Sequence, residues 1–387
     1  MTDDINLNIK QKIIFFIKEK NYKSAEQLII KALKKNENSI FLKMSIGNIK
    51  QTQDKYNEAI KIYNNIIDIE PNNSEAYMNI GNSYNELGEL NKAVEFYKIA
   101  KEKNDSLPKI NFNLGLAFYK LRDYESAMVC FEKLDHNLSR EKLLQCQYKL
   151  KKINEFNINL EKICEGKNTS RLVASLSSHA EVNFKQNNKY NFCKKPLDFV
   201  YKEKMDSKII NNLKEAINNI DTDNNIDTDS RNQSLLHNGL QSSGNLFENA
   251  NPIFGDLRMN IFKIVNRYRE KFQNEECDFI KYWPKIEKIK GWYIKMEKDG
   301  FLKPHMHEIG WLSGVIYLEL PRKNKDEGMI EFGLDGLNYQ KLNNDFPIKL
   351  KEISSNDIIM FPSSLFHRTI PFKSEEKRIC IAFDINP

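Results

Sequence analysis

Hydrophobic positions along the chain follow two rhythms. Through the first half, large apolar residues return every three or four positions. From Ser74, for example, Tyr77, Ile80 and Tyr84 share one helical face, and Ala93, Tyr97 and Ala100 share the next. From Ile289 onward the rhythm becomes two. "GWYIKME", "LSGVIYLEL", "GMIEFGL", "DIIMFPS" and "RICIAFDI" read as short strands separated by polar turns. Helices come first, and strands follow without helices between them. The pattern therefore predicts an α+β multidomain protein: a helical arm, then an antiparallel sandwich or barrel.

A longer period runs beneath the helical one. Alanine recurs at Ala25, Ala59, Ala93 and Ala127, each 34 residues from the last, and glycine does the same at Gly47, Gly81 and Gly115. Small residues at a fixed interval let two antiparallel helices cross closely, while the large residues fill the gaps. This period resembles the tetratricopeptide repeat. Four repeats are expected over about 6–138. A degenerate helix pair follows near 140–166, where Asn157 takes the expected alanine position, and it reads as a cap. Residues 1–166 are thus expected to form an α-solenoid and 167–190 a helical bridge. The repeat resemblance implies a protein or peptide partner on the solenoid and no chemistry of its own.

Residues 218–229 read NNIDTDNNIDTD, a tandem hexapeptide, and the polar stretch continues to about Asn245. It is expected to be a flexible surface loop over 218–245. Its acids do not make a calcium loop. Counted from Asp221, the sixth position is Ile226 where glycine is required, and the twelfth is Asn232 where glutamate is required. The flanking segments "SKIINNLKEAI" and "PIFGDLRMNIFKIVNRYREKF" have helical spacing and are expected to buttress the sheet of a domain over 191–387.

Composition narrows the function classes. The formal net charge of +6 comes from 59 basic and 53 acidic residues with no long basic run, which argues against a nucleic-acid partner. The six cysteines show no C-x-x-C spacing, so a zinc ribbon or disulfide framework is not expected, and a reducing compartment fits. The acidic start MTDDINLNIK lacks a basic leader. The apolar run Ile13–Ile17 falls far short of the roughly 15–20 residues that a signal or spanning segment needs. A soluble cytoplasmic protein without a membrane partner is the expectation.

The candidate chemistry lies in "PHMHEIGWLSGVIYLELP". It places two of the chain's six histidines, His305 and His307, two positions apart. On a strand, side chains at i and i+2 point to the same side. A third histidine, His367 in "FPSSLFHRTIPF", follows 60 residues after His307, and Arg378 lies eleven residues further on. A rolled antiparallel sheet can gather the three imidazoles at one metal and place a guanidinium fork nearby for a carboxylate.

These stretches, with "EGMIEFG" and "KRICIAFDI", resemble the iron(II)- and 2-oxoglutarate-dependent oxygenases of the double-stranded β-helix, or jelly-roll, fold. The resemblance spans roughly 190–387 and is strongest from 291. It implies Fe(II) as cofactor, with 2-oxoglutarate and dioxygen as cosubstrates. The implied reaction couples oxidative decarboxylation of 2-oxoglutarate to succinate with hydroxylation of a C–H bond. His305 and His367 match the family's iron-binding histidines, and Arg378 matches the residue that anchors the distal carboxylate of 2-oxoglutarate. Tyr293, on "GWYIKM", is a further expected cosubstrate contact. His307 stands where most of the superfamily has a carboxylate. It is expected as the third metal ligand, with a substrate-orienting role for His307 or a carboxylate from Glu308 as alternatives. No catalytic residue beyond these ligands is expected. Cys380 departs from the small polar residue that many relatives carry beside the arginine.

Other readings stand beside these. Arg378 can be a structural partner of Glu375 or Glu376, and Trp311 and Tyr317 fit as core residues. The barrel can be a three-histidine cupin that does not use 2-oxoglutarate, or a degenerate, non-catalytic appendage of a repeat scaffold. The arm is expected to deliver a protein substrate or partner.

Overall fold

The computed structural model describes residues 7–107, 109–166, 169–222, 235–285, 288–322 and 325–387. The first six residues, Pro108 and most of the duplicated hexapeptide lie outside the described residues. The chain divides into two compact units, Met1–Phe156 and Asn157–Pro387.

The first unit is built from antiparallel helix pairs: Leu7–Lys18 with Tyr22–Leu33, Ile40–Thr52 with Tyr56–Ile69, Ser74–Glu86 with Leu90–Lys103, and Ile110–Lys120 with Tyr124–Glu132. Asn21, Ser39, Asn73 and Asp123 each accept a backbone N–H in the first turn of the helix that follows. The 34-residue period has a direct steric cause. A Cβ at Gly47 would sit 2.5 Å from the Tyr63 ring, one at Gly81 2.6 Å from Tyr97, and one at Gly115 2.8 Å from Phe131. Each glycine leaves room for an aromatic ring on the partner helix, and the recurring alanines are fully buried in the same crossings.

The second unit is an antiparallel sheet domain. Its strands are β1 (Tyr201–Lys204), β2 (Leu236–Gln241), β3 (Lys288–Leu302), β4 (Leu312–Glu319), β5 (Ile330–Gly333), β6 (Ile348–Lys351), β7 (Asp357–Pro362), β8 (Phe366–Thr369) and β9 (Arg378–Asn386). They form a six-stranded sheet in the order β1-β7-β4-β9-β3-β2 and a three-stranded sheet in the order β6-β5-β8. Both sheets feed one core, which includes Ile294, Met296, Val315, Tyr317, Phe332, Phe361 and Cys380.

The adjacent strands β4 and β7 are buried on both faces, apart from Glu319 at the end of β4. The helix Ser207–Thr222 packs on β4, and the helix Pro252–Phe272 packs on it in turn. The helix Pro252–Phe272 buries Leu257, Ile261, Ile264, Val265 and Tyr268. The Tyr268 hydroxyl donates to the Phe199 carbonyl at 3.0 Å, and its ring meets Phe272, Phe279 and Trp283. Trp311 joins this aromatic layer against Phe192 and Phe279, with its indole N–H on the Phe279 carbonyl at 3.1 Å. The expected buttress is therefore an aromatic wedge, and Trp311 is a core residue.

Two expected features differ. The helix Ser207–Thr222 runs into the stretch expected to be a loop from 218, and Leu236–Gln241 within that stretch is an edge strand paired with β3. An edge strand with half-exposed faces needs no apolar alternation, which is why "LHNGLQ" gave no signal. The helix Arg171–Phe184, expected as a bridge, is built into the second unit. Asn183 donates to the Gln340 carbonyl at 2.9 Å, and Val182 packs on the sheet core. Among the described residues no helix is long and apolar enough to cross a membrane.

Candidate metal and carboxylate site

The segment carrying His305 and His307 is not a regular strand. It joins β3 to β4 and touches the small sheet through one bridge, His305 N–H to His367 O at 3.1 Å and His367 N–H to His305 O at 2.9 Å. The His307 N–H then donates to the Ser363 carbonyl at 2.9 Å, and the Trp311 N–H to that of Ile385 at 2.7 Å. Arg171 clamps the same segment from outside, with Nε on the Glu308 carbonyl at 3.1 Å and Nη2 on the Ile309 carbonyl at 3.0 Å. The i, i+2 alternation survives through these backbone bonds, so both imidazoles face inward, while Glu308 is exposed.

Three rings converge. The centroids of His305 and His367 lie 4.3 Å apart, those of His305 and His307 5.3 Å, and those of His307 and His367 5.2 Å. Their potential ligand atoms all lie within 4.8 Å of one another. One divalent ion with bonds of about 2.1 Å can be shared by such a set after small ring movements. Each Nδ1 also has an acceptor: the Lys303 carbonyl for His305 at 2.8 Å, the Leu365 carbonyl for His367 at 3.2 Å, and the Asp384 carboxylate for His307 at 2.6 Å. An acceptor there holds the proton on Nδ1 and leaves Nε2 with the lone pair that a metal requires.

The environment separates the three rings electrostatically. Burial lowers the pKa of His305 to about 4, with the neighbouring His307 acting in the same direction. Burial also pushes His367 well down, reinforced by His305 and His307. At His307 burial acts against the charged form, but the Asp384 carboxylate outweighs it by charge and hydrogen bond, and the pKa is raised.

Arg378 opens β9 and is 2% exposed. Its Nε donates to the Gly328 carbonyl at 3.3 Å, Nη1 approaches Cys380 Sγ at 3.4 Å and Met296 Sδ at 3.8 Å, and the guanidinium lies 5.1 Å from the Tyr317 ring centroid. Glu375 is held by Lys298 and Glu376 by Arg322. Among the described residues no carboxylate pairs with Arg378. A buried cation without an anion is costly. The Tyr317 hydroxyl beside it is also buried and lacks a hydrogen-bond partner among the described residues. Two donors left open at one point fit an incoming carboxylate.

The histidines and Arg378 line one cavity of about 440 Å³, together with Tyr317, Cys380 and Asp384. Tyr293 does not join them. On β3 the alternation turns Trp292 and Ile294 toward the cavity and the fully buried Tyr293 away from it; the Tyr293 backbone N–H donates to Ser242 Oγ at 3.1 Å. Asp384 has no role in the sequence reading, and Tyr317 fits there as a core residue, which it also is. Both had a signal. Asp384 has the same strand parity as Arg378 and Cys380, and Tyr317 has that of Ser313.

Comparison with known proteins agrees with this architecture. Residues 290–384 match the family model described as "Putative 2OG-Fe(II) oxygenase", and residues 42–73, 62–95, 81–121 and 108–135 match tetratricopeptide-repeat models. The chain carries tetratricopeptide repeats followed by a 2OG-Fe(II) oxygenase-family domain. The human intraflagellar transport protein 88 homolog is 28% identical over 144 residues, 34% of this chain. The chain spans 17% of that relative's length. Among solved structures, a Pseudomonas putida prolyl-4-hydroxylase covers 48% of this chain and 91% of its own at 10% identity, with a TM-score of 0.34. Pseudomonas aeruginosa PilF covers 47% of this chain and 85% of its own at 17% identity, with a TM-score of 0.41.

Proposed function

We propose that the protein is an iron(II)- and 2-oxoglutarate-dependent hydroxylase whose repeat arm recruits a protein partner or substrate. His305, His307 and His367 would hold the iron, and Arg378 with the Tyr317 hydroxyl would take the distal carboxylate of 2-oxoglutarate. When bound, the iron would supply a site where dioxygen and the keto acid meet, coupling decarboxylation to succinate with hydroxylation of a C–H bond. The chain's own part is placement. The Nδ1 acceptors orient the three rings, Arg378 sets the direction of the keto acid, and Trp292, Ile294 and Phe361 keep that end of the cavity dry. Leu235, Leu302, Met306 and Ile309 also line the cavity, and Ile309 is 75% exposed, so an apolar group on the substrate is favoured beside them.

The observation that carries this reading is the buried, carboxylate-free Arg378 in the same cavity as three convergent imidazoles. A three-histidine metal site with other chemistry would have no use for that cation. The test is succinate formation from 2-oxoglutarate under air, with and without added Fe(II). The reading expects iron-dependent succinate that falls at least tenfold in Arg378→Ala. Metal-loaded protein that leaves 2-oxoglutarate untouched across a panel of peptides and metabolites would refute it.

A further inference from the structure

We infer that Asp384 is a positioning residue for the metal site, acting through His307 and returning the negative charge that the three imidazoles lack. This rests on the three-histidine reading above and goes beyond it to a residue outside the ligand set.

The hydrogen-bond inventory requires one arrangement. Asp384 Oδ1 lies 2.6 Å from His307 Nδ1 and 2.6 Å from Ser313 Oγ. Ser313 Oγ lies 2.7 Å from Ser363 Oγ and 3.2 Å from His307 Nδ1. An ionised carboxylate only accepts, so Ser313 gives its single proton to Asp384. Ser363 must then donate to Ser313. No proton remains in this cluster for His307 to receive at Nδ1. An unprotonated Nδ1 would place two lone pairs 2.6 Å apart, so His307 itself carries the Nδ1 proton and donates it to Asp384. In the neutral ring, the form that ligates a metal, Nε2 is then the bare nitrogen.

The backbone makes room for this cluster. A Cβ at Gly310 would fall 2.5 Å from Ser363 Oγ and 3.1 Å from Asp384 Cγ. The strand pairing Ser313–Asp384 holds the two side chains opposite each other between β4 and β9, and Ser313–Phe361 ties the neighbouring β7 to the same register. His305 and His367 direct Nδ1 at neutral backbone carbonyls, whereas His307 directs it at an anion. Three neutral imidazoles offer a divalent ion no compensating charge. Asp384 brings one, a single hydrogen bond away from the ring, where a carboxylate raises the basicity of a ligating histidine.

The test uses the full chain with histidine-selective ¹⁵N labelling and Co(II) as a redox-stable probe. Long-range ¹H–¹⁵N spectra of the metal-free protein should show His307, assigned by its loss in His307→Ala, in the form protonated at Nδ1. Asp384→Ala should shift it toward the Nε2-protonated form and weaken Co(II) binding about 10- to 100-fold. Asp384→Asn keeps an acceptor oxygen and the shape. It should keep the tautomer yet still weaken Co(II) binding several-fold, and it guards against misfolding of the alanine variant. Asp384→Glu should recover part of the loss. The inference is overturned if both Asp384→Ala and Asp384→Asn bind Co(II) within twofold of wild type while His307→Ala does not. If His307→Ala itself keeps wild-type affinity, the three-histidine reading fails first, and Asp384 loses its role with it.

Discussion

At the scale of single residues, the site combines side chains whose spacing announces them with others whose role depends on a partner far along the chain. His305, His307, His367 and Arg378 were legible because period-two alternation fixes which side chains share a face. Asp384 was not. Its parity with Arg378 puts it on the cavity face, but "RICIAFDI" gives it no partner until β4 brings Ser313 opposite it. The same alternation that exposes His305 and His307 to the cavity turns Tyr293 away from it. Two predictions belong here. His305→Ala or His367→Ala should abolish iron retention, as measured by metal content after gel filtration. Tyr317→Phe should act in opposite directions on two quantities. Removing a buried hydroxyl without a partner should stabilise the ligand-free protein by about 1 kcal/mol. It should also raise the 2-oxoglutarate KM by roughly tenfold, because a bound carboxylate would lose a donor. Thermal melting and steady-state kinetics on one variant check both.

At the scale of elements, close packing dictates what the sequence can vary. The 34-residue glycines and alanines were readable as a repeat, and the structure supplies the reason in the rings of Tyr63, Tyr97 and Phe131. The short strands β2, β6 and β8 were not readable, because edge strands of only four to six residues carry too little alternation. Within the large sheet, Gly314 on β4 faces Phe383 on β9, and a Cβ there would meet the ring at 2.2 Å. Phe383 is fully buried, so the ring cannot swing away. Gly314→Ala should therefore cost about 1–3 kcal/mol in urea denaturation followed by tryptophan fluorescence. In the arm, Lys149 closes the helix Asn137–Lys149, and burial, with Arg122 nearby, lowers its pKa from 10.5 to about 8. Between those two values the unfolded chain holds a proton that the folded arm has lost, so stability should rise with pH across that window. The gain should be on the order of 1–2 kcal/mol after allowance for solvent screening. Lys149→Met should flatten the slope, as followed by helical circular dichroism.

At the scale of the whole molecule, the chain forms two compact units, and the described residues that line the cavity belong to the second. Deleting residues 1–156 should leave substrate-free turnover of 2-oxoglutarate within about twofold of the full chain, since the described residues that line the cavity lie in 157–387. Hydroxylation of a recruited protein substrate should fall much further. The central claim is that three imidazoles and Arg378 hold a ferrous ion and a keto acid together. It is tested most directly by anaerobic titration of the Fe(II)-loaded protein with 2-oxoglutarate, following the visible charge-transfer absorption of a ferrous keto-acid chelate. Wild type should give a saturable band that is absent in His367→Ala and needs at least tenfold more 2-oxoglutarate in Arg378→Ala. A wild-type protein that holds iron but gives no band, or an Arg378→Ala variant that saturates like wild type, would contradict it.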